Sequence, residues 1–125
     1  MSPRKRRAKI QLTLTMPANV ANSRGHWRVK HRAKARFYKD SDQRQLVGLV
    51  PAPPAKPLES AHVRVRFHVH NLLDPDNLHA RMKHILDWLV TRGYLANDDA
   101  DTVSLEVSQE IERRDKRVEI TVEAL

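Results

Sequence analysis

The stretch AHVRVRFHVHNLLDPDNLHARMKHILDWLVTRG, residues 61–93, decides the fold. Its first ten residues alternate. Val63, Val65, Phe67 and Val69 fall on one side, and His62, Arg64, Arg66, His68 and His70 on the other. A period of two with β-branched residues on one side predicts a strand with one buried face. After the DPDN turn the period changes. Leu78, Met82, Ile85, Leu86 and Leu89 recur at helical spacing over 77–92, and Gly93 supplies a stop.

Upstream, KIQLTLTM (9–16) also alternates, with Ile10, Leu12, Leu14 and Met16 together, and Pro17 ends it. PANVANSRGH (17–26) is rich in turn formers and reads as a loop. Residues 29–49 have helical character, with Ala33, Phe37 and the pair Leu46/Val47 roughly on one face. PAPPAKP (51–57) can hold neither a helix nor a central strand and reads as a stiff linker. Downstream of the long helix comes a polar loop, 96–102. VSLEVSQEI (103–111) and RVEITVEA (117–124) then alternate around RRDK and predict a hairpin. The order strand, helix, strand, helix, hairpin predicts an α+β fold: a small mixed β-sheet with helices packed on it, in a single domain. That domain spans residues 9–125, and residues 1–8 form a basic arm that need not be ordered.

The chain has 125 residues, one domain's worth of core. It has no cysteine, which excludes disulfides and thiolate zinc sites. No apolar run is long enough to span a bilayer, and no apolar segment of signal type follows the basic start, so a cytoplasmic protein is expected. The formal charge is +8. No acidic residue precedes Asp40, while six of the fifteen acidic residues, all aspartates, fall between Asp74 and Asp101. A basic first half favours a polyanion such as nucleic acid. A generic solubilising surface or a membrane surface is the alternative.

Two acidic motifs carry candidate chemistry. In DPDN, Asp74 and Asp76 stand two apart at a strand end and can converge on one hard cation such as Mg²⁺. Asp before a helix is equally an N-cap, a role open here to Asp76 or Asn77. In NDDAD (97–101), Asp98 and Asp99 follow the same helix, where a solvated acidic turn is the plain alternative. Asp76, Ala80, Lys83 and Asp87 share a helix face, so Lys83 can lean towards the acidic centre or simply pair with Asp87. His68 and His70 share a strand face, but without a third ligand they are expected to face DNA or solvent beside Arg64 and Arg66. Trp27, Phe37 and Tyr38 can stack on unpaired bases or serve as core and boundary residues.

The segment DPDNLHARMKHILDWLVTRGYLANDD resembles the RusA family of Holliday junction resolvases: a D-x-D-N turn, a helix with Lys and then Asp one turn later, a Gly, and an Asp-Asp pair. NSRGHW (22–27) is similar to the Asn-plus-basic segment after that family's first strand. The resemblance implies a homodimeric, Mg²⁺-dependent endonuclease of phage or prophage type, with Mn²⁺ as a substitute ion, acting on four-way DNA junctions in recombination and repair. It places the metal-binding carboxylates on Asp74, Asp76 and either Asp99 or Asp98, and the family lysine on Lys83. Asn22, Arg24, Arg28, Lys30 and Arg32, with the Arg64/Arg66 strand face, are expected to hold the DNA backbone. A non-catalytic DNA-binding module with structural acidic loops, or a basic RNA-binding accessory protein, is the rival reading.

Overall fold

The structure is a computed structural model that describes residues 9–17 and 27–125; of residues 27–30 it describes the backbone alone. The elements are β1 (Lys9–Leu14), α1 (Trp27–Leu46), β2 (Ala61–Val69), α2 (Pro75–Thr91), β3 (Val103–Ile111) and β4 (Arg117–Ala124). The four strands form one mixed sheet in the order β1-β4-β2-β3. β4 is antiparallel to both β1 and β2, whereas β3 is parallel to β2. The sheet is thus mixed and the fold α+β, as the patterning predicts.

The alternation in β2 puts Ala61, Val63, Val65, Phe67 and Val69 in the core. They meet Leu12 and Leu14 of β1, Val118, Ile120 and Val122 of β4, and the α2 side chains Met82, Ile85, Trp88 and Leu89. Leu78 and Leu86, expected inside, are half-buried at the margin of this core. Trp88 is fully buried and stacks on Tyr94 with ring centroids 5.3 Å apart. Gly93, at φ +86°, takes the chain out of α2 in the left-handed conformation that suits glycine.

Two expectations are corrected. β3 and β4 do not form a hairpin, because β2 lies between them. Alternation reveals a strand but not its neighbour. Val118, Ile120 and Val122 are all at most 1 % exposed, which calls for a central position, while Leu105 and Val107 remain 45 % and 37 % exposed at the edge. Stepping over β2 means crossing two strand spacings, about 10 Å. The connection 112–116 is long enough for that. In α1 the inward face is carried by Phe37, Tyr38 and Ser41, while Leu46 and Val47 are exposed. The helix ends at Leu46 and the chain turns at Gly48, so the last apolar pair never comes round to the core.

β1, β2 and β3 run in one direction and β4 against them. Their carboxyl ends, the start of β4 and the start of α2 therefore lie at one end of the sheet. The 112–116 connection is at that end, whereas the 97–102 loop is at the opposite one.

Candidate functional site

α2 starts where it does because Asp74 caps it. Asp74 is extended (φ −73°, ψ 165°), and its carboxylate accepts the Asn77 amide at 2.8 Å. Pro75 occupies the first turn without losing a helical hydrogen bond, and Asp76 sits beside it against the positive end of the helix. Both carboxylates are exposed at the carboxyl end of β2.

Asp98 and Asp99 are exposed in the loop beyond the other end of α2. Asp99 accepts the Thr102 amide at 2.9 Å and the Asn97 side-chain amide at 2.8 Å, which fixes the turn into β3. The stretch 78–91 of α2 lies between the two acidic motifs, about 21 Å at the usual rise. Among the described residues no three His, Cys, Asp or Glu side chains form a group that could hold a metal ion. The four aspartates of one chain therefore do not gather into one cation site; Asp74 and Asp76 stay together at one end of α2, and Asp98 and Asp99 lie beyond the other.

Asp98 does share a groove with α2. A cavity of about 620 Å³ runs between α2 and β3, floored by Leu78, Met82, Leu86, Leu105 and Val107. Lys83 and Asp98 both line it, Pro75 closes its other end, and Lys83 is exposed. Asp87, one turn further on, is half-buried beside His84, whose imidazole is driven towards the neutral form chiefly by burial.

The strand face opposite the helices is charge-balanced. Arg64 donates to Glu106 at 3.0 Å, and His62 bonds both Glu106 and Ser104. The Arg64 bond, then the His62 bond, holds the Glu106 carboxyl below its ordinary range. His68 does not face solvent: it is 6 % exposed, with Glu119 3.1 Å from one ring nitrogen and Glu110 4.0 Å from the other. Arg66 is exposed on the same face, opposite Glu119 in the register.

Basic character lies elsewhere. Arg32, Lys34, Arg36 and Lys39 are exposed along α1. Arg28 and Lys30 are in that helix's first turn, and Asn22 and Arg24 lie outside the described residues. α1 is fastened to α2 through Asp42. Its carboxylate accepts Arg92 Nε at 2.7 Å, Arg92 Nη2 at 2.6 Å and the Trp88 indole N–H at 3.0 Å. The Arg92 guanidinium also lies 5.5 Å over the Tyr38 ring. Phe37 and Tyr38 are thus spent on the helix interface.

A third cluster escaped the sequence reading. His70, Arg81 and Lys116 line a second cavity at the carboxyl end of β2, beside the DPDN turn. Arg81 donates to the Asn77 side chain at 2.7 Å and to the Pro17 carbonyl. The available sequence signal was an arginine one turn beyond the motif's Asn. Lys116 is 35 positions later, and only the strand order brings it there.

No known family model matches the chain, and no curated protein matches it either. No helix among the described residues is long and apolar enough to cross a membrane.

Proposed function

We propose that this protein is an endonuclease acting on branched DNA, four-way junctions first among them, with Mg²⁺ or Mn²⁺ as its cofactor. One observation carries the proposal: the exposed Asp74/Asp76 pair sits at the same end of the sheet as Arg81, Lys116 and the 112–116 connection with Arg113 and Arg114. Carboxylates among cations at the carboxyl ends of strands suit a phosphodiester held by its charge and cut beside it. The basic side chains hold and orient the backbone, and Asp74 and Asp76 are the carboxylates at the cut.

A homodimer belongs to the same proposal. β3 is an edge strand, and its sequence is self-complementary when paired antiparallel about Val107. Val107 then faces Val107, Leu105 faces Gln109 and Val103 faces Ile111, with Glu106 and Glu110 opposite Ser108 and Ser104. A slip of two residues either way sets Glu106 against Glu106 or Glu110, and like charges directly opposite are destabilising. The pairing sets Leu105 and Val107 of the two groove floors side by side. It also carries the second copy's 97–101 loop, with Asp98 and Asp99, to the end of the sheet that bears Asp74 and Asp76.

The decisive experiment is cleavage of a labelled four-way junction beside a matched linear duplex, with Mg²⁺ and with EDTA. Junction cutting that needs the metal supports the proposal; none under any condition refutes it. The second reading, a DNA-binding module without catalysis, draws on the capping roles of Asp74 and Asp99. It expects binding that is the same in both conditions and no product.

A further inference from the structure

We propose that the cavity bounded by His70, Arg81 and Lys116 is a phosphate-binding subsite that takes a backbone phosphate of a bound nucleic acid. It takes from the preceding proposal only that the ligand is a nucleic acid. The cavity measures about 210 Å³, ample for a phosphate group, and among the described residues no acidic side chain lines it. Met16, Val69 and Leu73 supply its apolar walls.

Arg81 is the centre of the argument. Arg64, Arg92 and Arg117 each have a carboxylate partner. The bonds of Arg81 among the described residues go instead to neutral acceptors, the Asn77 amide oxygen and the Pro17 carbonyl. Burial works against its charge, lowering its affinity for the proton, with no carboxylate to offset the loss of water. A cation withdrawn from solvent without an anion is costly, and an anionic ligand offsets that cost. The two neutral acceptors fix the plane of the guanidinium and leave donors on its outer edge, the geometry that receives two oxygens of one phosphate.

Lys116 and His70 add charge and donors from different elements. Lys116 stands in the connection that steps over β2, and His70 just beyond the end of β2. Both are exposed, so they can close on a ligand without rearranging the core. Asn71 at the rim supplies a further amide. Arg81 is one helical turn from Asn77, which follows Asp76, so the subsite adjoins the carboxylates on α2 itself.

The test uses the full chain. Inorganic phosphate is titrated into ¹⁵N-labelled protein while the Arg81 Nε–Hε resonance is followed. Binding of a labelled four-way junction and of a linear duplex is then measured by anisotropy in EDTA at several salt concentrations. We expect the Arg81 resonance to move with phosphate. Lys116→Gln should weaken both DNAs by several-fold to about tenfold and lower the salt slope by about one. Arg81→Lys, which keeps the charge but loses the planar fork, should weaken them comparably. Lys116 is exposed, so its variant tests the site even if changing Arg81 disturbs the fold. Wild-type affinity and salt slope in Lys116→Gln overturn the proposal. A phosphate response with unaltered DNA binding assigns the cavity to free phosphate and overturns the nucleic-acid occupant. Because binding is read without metal, failure of the subsite and failure to cut DNA are separate results.

Discussion

Replacing Asp42 tests how the basic helix α1 is held over α2. Asp42 accepts three hydrogen bonds, two from Arg92 and one from the indole of Trp88, which is fully buried. The two losses differ in kind. The Arg92 pair is more than a third exposed on both sides, and solvent screening limits an ion pair of this sort to about 1 kcal/mol. The indole N–H has no water to turn to, and stranding it costs about 1–3 kcal/mol. Asp42→Ala should therefore destabilise the fold by about 2–4 kcal/mol, a large share of the roughly 5–15 kcal/mol of a typical domain. Asp42→Asn keeps an acceptor for Trp88 and should cost about 1 kcal/mol. Urea denaturation followed by tryptophan fluorescence measures both at constant slope. Equal midpoints for the two variants would refute the reasoning, since the indole would then contribute nothing. The sign with pH is also fixed. The Arg92 bonds hold the Asp42 carboxyl below its ordinary value. Its contribution is complete above about pH 3.9, the unfolded value, and is lost as pH falls through the lower folded one. The gap between wild type and Asp42→Asn should close in acid.

Asp76→Asn should abolish junction cleavage and leave junction affinity in EDTA equal or tighter, since one carboxylate fewer repels phosphate; full cleavage by the purified variant would remove Asp76 from the site. Val107→Cys in this cysteine-free chain should give a disulfide-linked dimer on mild oxidation, because residues facing each other across a two-fold bring their Cβ atoms to about 4.5–5.5 Å; Ser104→Cys should not self-link, and the reverse pattern would exclude the register centred on Val107. Lys83→Ala should slow single-turnover cutting by roughly 2 kcal/mol of barrier if its ammonium stabilises developing charge. An unaltered rate in the folded variant leaves Lys83 as an exposed residue of the groove wall.

Much of the molecule was legible because it rests on local rules. The alternation in 61–69, the helical stripe from Met82 to Leu89 and the stop at Gly93 are set by the period of the backbone, and a period is visible in one dimension. A cap within DPDN and Asp98/Asp99 as a turn were readable for the same reason, but the cap is Asp74 and not Asp76 or Asn77, because Pro75 already stands in the first turn. What the tertiary structure alone decided concerns neighbours. β4 lies between β1 and β2 rather than beside β3, because three fully buried side chains outweigh the proximity of a five-residue connection. His68 is enclosed by Glu110 and Glu119, although its own strand pattern pointed it towards solvent, since those carboxylates come from two other strands. The parallel run of β3 beside β2 places the two acidic motifs at opposite ends of the sheet. The same strand order gathers His70, Arg81 and Lys116 from three separate segments. No residue of that trio names the others in sequence, because side chains meet through strand order and packing, which depend on the free energy of the whole core and not on any one stretch of chain.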